Sequence, residues 1–177
     1  MLNDSLWPSI TEKAQIIEAG PHTARNLLVD DESFYEVSKL PELTIPRGRL
    51  KRKDYTNMTL AELTFIAHSP PHYHRNTTEV IHVINGEGKA YLGGDIFRLY
   101  KGDWPEYVDM FSMIEQFGPR MTMIIPSGVP HATELKSPEL VTRIVTRPVF
   151  DTSDEHPLKV RHIAGQENEL LRNYMLF

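Results

Sequence analysis

The chain has 177 residues, the size of one domain, and its 40% hydrophobic and 24% charged residues are typical of a globular protein rather than a disordered chain. Its formal net charge of -5 argues against a general nucleic-acid binder, which normally presents a basic surface. The sequence contains no cysteine, and this excludes disulfides, iron–sulfur clusters and thiolate zinc sites.

The sequence also lacks the usual signals for export or membrane insertion. The first residues contain Asp4 and Pro8 and show no basic segment followed by an apolar run, as a signal peptide would. No stretch approaches the roughly 18 consecutive apolar residues of a membrane span. Since a chain without disulfides also suits a reducing compartment, we expect a cytoplasmic protein with neither a membrane nor a nucleic-acid partner.

The N-terminal part predicts one helix and an arm. Ser9 and Glu12 have the spacing of a capping box, and the apolar positions that follow favour a helix over residues 9–19. Gly20 and Pro21 end it. Residues 24–45 mix apolar and acidic positions and favour short strands or an irregular arm.

From Gly48 onward the pattern is that of short strands separated by turns. Asn85-Gly86 is a strong hairpin signal and predicts that the strands on its two sides pair. Strands at near-regular spacing with turn residues between them indicate an all-β sandwich or barrel. The predicted strands cover residues 60–67, 79–84, 89–92, 96–100, 121–125 and 140–145.

Two further segments complete the predicted organisation. Residues 104–117 are unusually apolar for a loop, so we expect them to cover the mouth of a pocket, to contact a second subunit, or to pack on their own barrel. Residues 165–177 favour a terminal amphipathic helix. The predicted division is an N-terminal helix and arm over residues 1–47, a barrel over 48–150, and a C-terminal tail and helix over 151–177.

The residues that carry chemistry begin at His72. His72 and His74 are two apart, so in extended chain they point to one face and can converge on one ion. Glu79 opens the next strand, and strands that neighbour each other lie about 4.8 Å apart. A second turn, Pro126 to Pro130, delivers His131 onto another strand. Imidazole with carboxylate suits Fe(II), Mn(II), Ni(II), Zn(II) or Cu(II).

This order and spacing resemble the two signature motifs of the cupin superfamily, over about residues 60–147. His72, His74, Glu79 and Gly86 match H-x-H-x(3,4)-E-x(6)-G. The second motif, G-x(5)-P-x-G-x-x-H-x(3)-N, is matched at Pro126, Gly128 and His131, although seven residues separate Gly118 from Pro126 and position 135 is Leu rather than Asn. The resemblance implies an antiparallel β-barrel of jelly-roll topology with one divalent ion inside, and we expect short helical extensions at both ends.

Cupins catalyse many reactions, so several functions remain open. A set of three His and one Glu resembles that of cupin dioxygenases of the acireductone and quercetin types, which implies an oxidoreductase that uses Fe(II), or else Mn(II), Ni(II) or Zn(II). The alternative is a non-redox isomerase or lyase of a sugar or a hydroxy or keto acid, in which the metal acts as a Lewis acid. A non-catalytic module that binds a small molecule is the third possibility.

Other residues have two interpretations each. Arg47, Arg49 and Lys51 alternate, so they form an anion clamp if they face the barrel interior, with Arg49 as a candidate catalytic residue, or a solvated strand edge if they face outward. Tyr91 is a candidate catalytic residue in the pocket, or else a tyrosine of the barrel surface. His82 lies an odd number of residues from Glu79, which predicts a structural role on the opposite face.

The expected assembly is a homodimer. Small barrels of this kind expose sheet edges, and the arm before Gly48 has no other obvious use than to cover one. The expected ligand is a small-molecule substrate.

Overall fold

The structure is a computed structural model that describes residues 27–28, 42–45, 47–93, 107–108 and 111–160. Within these ranges the chain forms strands and one turn of 3-10 helix, Thr152–Asp154. The helices predicted over residues 9–19 and 165–177, and the strand predicted over 96–100, lie outside the described residues. The strands are β1 (Leu27–Leu28), β2 (Glu42–Ile45), β3 (Gly48–Asp54), β4 (Thr59–Phe65), β5 (Ser69–His74), β6 (Thr78–Asn85), β7 (Gly88–Gly93), β8 (Tyr107–Val108), β9 (Phe111–Phe117), β10 (Met121–Ile125), β11 (His131–Leu135), β12 (Leu140–Arg147), β13 (Glu155–Pro157) and β14 (Lys159–Val160).

Two antiparallel sheets account for nearly all of these strands. The first has seven strands in the order β1-β10-β6-β12-β4-β3-β2, and the second has five in the order β13-β5-β11-β7-β9. β14 and β8 form a separate parallel pair. The nearly all-β architecture confirms the fold class that the strand spacing predicted. No helix among the described residues has both the length and the apolar character needed to cross a membrane.

The interior between the sheets is filled by apolar side chains. Val83 and Leu140 are fully buried, and Phe65 and Phe117 are nearly so. Burying one such side chain stabilises a fold by about 1.5–3 kcal/mol, so this cluster is a main source of stability. The cluster comprises Ala61, Phe65, Ile81, Val83, Ala90, Phe117, Met123, Ile125, Val129, Leu140 and Ile144.

β6 shows how the sequence assigns side chains to the two faces of a sheet. Glu79 and Ile81 line the cavity in the interior, as period-two geometry requires. His82 lies on the opposite face, has no exposed surface, and its Nδ1 lies 2.8 Å from the Thr122 hydroxyl. The prediction of a structural role for His82 is confirmed.

The prediction that the strands on the two sides of Asn85-Gly86 pair as a hairpin is wrong. β6 and β7 flank this turn but belong to different sheets: β6 pairs with β10 and β12, and β7 with β11 and β9. The turn therefore carries the chain across the barrel. Gly86 is required there because its φ is 88° and a Cβ atom would lie 2.3 Å from the Glu139 carbonyl oxygen. A turn signal fixes a local bend, and packing decides which strand each side pairs with.

Part of the predicted apolar insertion is a strand. Residues 111–117 form β9, which pairs with β7 from Gly88 opposite Phe117 to Gly93 opposite Phe111. Phe117 is buried in the core. Phe111 and Met113 follow the period of two that indicates a strand, but an irregularity between residues 113 and 115 breaks the alternation before Phe117, which makes the strand hard to predict. Residues 104–106 and 109–110, and with them much of the predicted cover, lie outside the described residues.

The sheets extend beyond the predicted barrel range of 48–150 at both ends. β2, which precedes residue 48, pairs with β3. β13, which follows residue 150, pairs with β5 and places Glu155 opposite His74. Short strands at sheet ends carry too few residues for a clear alternation pattern, so the sequence gives no signal for them. The pairing of β13 places the C-terminal segment beside the histidines of β5.

Candidate metal centre

Neighbouring strands of the five-stranded sheet supply three histidines. His72 and His74 point inward from β5, while Tyr73 between them faces the other way and stacks on His156. His131 begins β11 and lies directly opposite His72 in the antiparallel register. The turn before it is fixed by Gly128, which has a φ of 82° and donates its backbone N–H to the His74 carbonyl at 2.6 Å.

The fourth predicted ligand comes from the other sheet. Glu79 lies on β6 in the seven-stranded sheet, so it reaches the histidines across the interior rather than from a neighbouring strand. Its Oε1 is 3.6 Å from His74 Nε2, and its Oε2 is 3.3 Å from His131 Nε2. Ligand atoms of the three histidines all lie within 4.8 Å of one another, so this group can hold a metal ion. The structure thus brings all four predicted residues together.

Hydrogen bonds at Nδ1 orient each imidazole and place a proton on that nitrogen. A backbone carbonyl oxygen can only accept, so an imidazole nitrogen bonded to one must carry the proton. When such a ring is neutral, its lone pair is on Nε2 and free for a metal, an arrangement that ligating histidines commonly show. The acceptors are the carbonyls of Pro70 for His72 at 2.7 Å, Asp154 for His74 at 3.1 Å, and Val129 for His131 at 2.9 Å.

Two of the Nε2 atoms are buried and face the Glu79 carboxylate without a hydrogen bond to it. His74 Nε2 and His131 Nε2 have no hydrogen bond to any residue that the structure describes. A buried polar atom left in this state costs about 1–3 kcal/mol, so such atoms are rare in native proteins. A cation among the four side chains would satisfy both nitrogens, and the donor set of imidazole and carboxylate suits a divalent transition metal.

The electrostatics of the site favour the protonation states that a cation needs. Burial, reinforced by the nearby His131 and His74, holds the pKa of His72 well below its ordinary value, so this ring is neutral. Burial by itself would raise the pKa of Glu79, but the effects of His131 and His74 outweigh it and lower this pKa. A neutral imidazole and an ionised carboxylate are the forms that bind metal.

Asp154 secures the segment next to His74. Its buried carboxylate accepts hydrogen bonds from the backbone N–H of Arg75 at 3.0 Å and Thr77 at 3.0 Å, and from the Thr77 hydroxyl at 2.7 Å. Burial alone would raise the pKa of Asp154, but the bonds from Thr77, Asn76 and Arg75 lower it. The carboxylate therefore stabilises the fold above the pKa of an unfolded Asp, and this contribution is lost as the pH falls through the folded pKa. The hydrogen bonds of the Asp154 side chain hold in place its own backbone carbonyl, which accepts the hydrogen bond from His74 Nδ1.

The four side chains lie in the wall of a cavity of about 130 Å³. One water molecule needs roughly 10–15 Å³ of such space, so the cavity admits a small organic molecule. Apart from the site, the wall is mainly apolar. The apolar lining includes Leu50, Leu63, Phe65, Ile81, Ile144 and Phe150.

The structure does not bring Arg49 or Tyr91 to this cavity. Leu50 and Arg52 of β3 line it, so alternation puts Arg49 and Lys51 on the outer face, where Arg49 is exposed. The solvated interpretation of that face is therefore the correct one. Tyr91 is buried away from the cavity, and its hydroxyl donates to Glu134 at 2.6 Å.

Of the three residues of the possible anion clamp, Arg47 does line the cavity, and so does Glu155, which sequence reasoning did not consider. Arg47 lines the wall although Arg49 does not, because Arg47 lies in the turn before β3 and escapes the alternation of the strand. Its guanidinium donates to the Ser69 hydroxyl at 2.9 Å and forms an ion pair with Glu155. Pro46 beside Arg47 was the available sign of a turn. Glu155 carries no comparable signal, because only the pairing of β13 brings it here.

Neither the protein-family models nor the curated protein sequences match this chain. Solved structures do. An oxalate decarboxylase mutant from Bacillus subtilis is 16% identical with a TM-score of 0.54 over 70% of this chain, which spans only about a third, 32%, of that protein. Pac13, described as a nucleoside dehydratase, is 14% identical with a TM-score of 0.52 over 76% of this chain and 96% of its own. A Streptomyces Pac13 variant with uridine gives the same TM-score of 0.52.

Two packed antiparallel sheets around a cluster of three histidines define the class of small β-barrels that can bind a metal ion. Within that class the chain has the cupin fold, as its two motifs predicted. At identities of 14% to 16% the likeness to these structures concerns the fold.

Removing one of the three histidines tests the metal centre. His72→Ala or His131→Ala should weaken the binding of Zn(II) or Fe(II) by at least about tenfold, because metal affinity depends on the ligand set. Chelator competition gives the dissociation constants. His82→Gln is the matched control, since His82 is equally buried but on the opposite face. Full metal occupancy in either alanine variant would contradict the assignment.

Changing Asp154 tests whether the C-terminal segment positions His74. Asp154→Asn should weaken Zn(II) binding by about 10- to 100-fold, the range found when a group that orients a ligand is lost. Affinity is measured at a temperature at which both proteins are folded, and the melting temperature is recorded separately. Asp151→Asn is the control, because Asp151 is exposed and its side chain bonds only to Ser153 among the described residues. A lower melting temperature with unchanged affinity would mean that Asp154 serves stability alone.

Proposed function

We propose that the protein is a mononuclear metal-dependent enzyme, and specifically a dioxygenase that acts on a small oxygenated organic substrate. The observation that carries this proposal is the convergence of three buried imidazoles and one carboxylate on a small cavity. Four protein ligands leave coordination positions open on a five- or six-coordinate ion, which suits a chemical role better than a structural one.

In this proposal each residue has a defined task. His72, His74, Glu79 and His131 hold one divalent ion, with Fe(II) expected and Mn(II), Ni(II) or Zn(II) as alternatives. When bound, the ion supplies Lewis-acid or redox chemistry to the substrate. The backbone carbonyls that accept hydrogen bonds from Nδ1 keep the imidazoles oriented, so the rings need not turn when the metal or substrate binds.

The walls of the cavity favour an oxidative reaction over sugar chemistry. A sugar needs hydrogen-bonding partners along its whole length, because a buried hydroxyl without a partner costs free energy. The side chains of Ile81, Ile144 and Phe150 offer none, so only part of the wall can meet this need. A mainly apolar wall does limit the access of water to reactive species, as an oxygenase requires.

A non-oxidative lyase is the second candidate. It is favoured by the comparisons, since one structural neighbour is a decarboxylase and the other a dehydratase. The same four ligands would serve such an enzyme, with the ion as Lewis acid and a carboxylate moving the proton. The two candidates differ in whether O2 is consumed.

The test combines metal analysis with O2 uptake. Protein purified without added metal is analysed for its metal, reconstituted with Fe(II), Mn(II), Ni(II) or Zn(II), and assayed with small enediols, catechols and keto acids. We expect O2 consumption in step with substrate loss, and its absence in His131→Ala. Substrate loss without O2 consumption would favour the lyase. No turnover with any metal would leave the non-catalytic binding module.

We also propose that the protein is a homodimer. β2 is the end strand of the seven-stranded sheet among the described residues, and its Leu43 side chain is 53% exposed. Ile66, next to the end of β4, is 61% exposed. Large apolar side chains at a sheet edge are typical of a surface that pairs with another chain.

Light scattering should therefore give about twice the chain mass of 20.4 kDa. Leu43→Glu should shift the mass toward the monomer by placing a charge in the contact, whereas Lys53→Glu, on an exposed position of β3, should not. A mass near 20.4 kDa for the unaltered protein at micromolar concentration would rule out the dimer.

A further inference from the structure

The cavity changes from polar to apolar along the strands of the seven-stranded sheet. Directly paired positions form rows across the sheet, and the row of Glu79 continues through Thr146 to Thr59. Two residues further along each strand, the row of Ile81 contains Ile144 and Ala61 and ends at Arg52. All of these line the cavity. A ligand held at the metal end by polar groups therefore extends into an apolar pocket.

The cavity has an excess of positive charge once a divalent ion is present. The charged residues of the cavity wall are Arg47, Arg52, Glu79 and Glu155, and the positive and negative members of this set cancel. The ion adds two positive charges, and the histidines are neutral ligands. Since the apolar wall cannot compensate this charge, an anionic ligand is favoured there.

Arg47 is the group placed to bind that anion. Arg52 is already held by Asp54, at 2.9 Å from Nε to the carboxylate, and by the Phe150 carbonyl. Arg47 donates to Ser69 and Glu155, which uses two of the five N–H groups of a guanidinium. Ser69 lies on the strand that carries His72 and His74, and Glu155 lies opposite His74, so the guanidinium is beside the site. Planar guanidinium matches the two oxygens of a carboxylate.

Glu155 occupies the position of a competing anion. It lies on β13, the end strand of the five-stranded sheet, while Arg47 precedes β3 near the end of the other sheet, so their ion pair spans the gap between the sheets. Both side chains are only partly buried, at 28% and 29% exposed. A partly exposed ion pair contributes little to stability, so a ligand carboxylate can replace Glu155 at modest cost.

We infer that the cavity binds a small monocarboxylate with a short apolar body, that Arg47 binds its carboxylate, and that Glu155 competes for Arg47. The inference rests on the proposed function, because it takes the ligand of the same metal-dependent site as the substrate class. One arginine with unused N–H groups and a small, mainly apolar cavity suit a carboxylate better than a phosphate, which usually requires several donors.

The test measures binding without turnover. Isovalerate is titrated calorimetrically into the full-length protein loaded with Zn(II), which has no redox chemistry, and isovaleramide serves as the uncharged ligand of similar shape. Malonate is the anion without an apolar body. We expect isovalerate to bind at least about tenfold more tightly than either, because a hydrogen-bonded charge is worth about one or two orders of magnitude in affinity.

Three variants separate the roles of the charges. Arg47→Gln should weaken isovalerate binding by about tenfold, and Glu155→Gln should strengthen it several-fold by removing the competitor. Arg49→Gln is the matched control, since Arg49 is exposed two residues from Arg47 and does not line the cavity. A gain in affinity cannot result from misfolding, so Glu155→Gln keeps the test decisive if Arg47→Gln folds poorly.

Several results would overturn the inference. These are equal affinity for isovalerate and isovaleramide, an unchanged affinity in Arg47→Gln, and a loss rather than a gain in Glu155→Gln. Each titration is repeated on metal-free protein, in which the same order of variants is expected at lower affinity. The two proposals can fail separately. If isovalerate binding depends on Arg47 but not on metal, and the protein shows no turnover, the carboxylate site is supported and the proposed enzyme is contradicted.

Discussion

The site depends on one contact across the barrel interior, between a carboxylate of one sheet and the imidazoles of the other. Glu79 approaches His74 and His131 to 3.6 Å and 3.3 Å from the opposite sheet. The two sheets must therefore pack at a fixed separation for the four ligand groups to converge. The apolar cluster that contains Val83 and Phe117 provides this separation, since a close-packed core transmits even small changes in volume. Core packing and metal affinity are coupled for this reason.

The orientation of the histidines depends on a second set of contacts, which involves the C-terminal segment. His74 donates to the carbonyl of Asp154, and the Asp154 side chain holds the turn that follows His74. β13 then pairs with β5 and brings Glu155 to Arg47. A segment whose polar composition indicates a solvated tail is thus part of the site. It supplies a hydrogen-bond acceptor, a loop anchor and one charge of the cavity wall.

The same strands that hold the ligands also grade the cavity from polar to apolar. A step of two residues along β6 moves one row further along the cavity, from Glu79 to Ile81. This gradient makes the cavity directional: one end coordinates or hydrogen-bonds, and the other only excludes water. Such a shape favours ligands with a polar head and an apolar body.

The sequence by itself determined the fold class and the four residues that converge. His72 and His74 share a face because side chains alternate along a strand, which is a local rule. Glu79 and His131 were identified from the spacing of the two motifs. The tertiary structure alone decided that Glu79 lies in the opposite sheet, that the strands flanking Gly86 do not pair, and that Arg47 enters the cavity while Arg49 and Tyr91 do not. These outcomes depend on which strands become neighbours and on where a turn interrupts alternation. Contacts between residues far apart in the chain, such as Arg47 with Glu155, leave no local pattern from which they can be predicted.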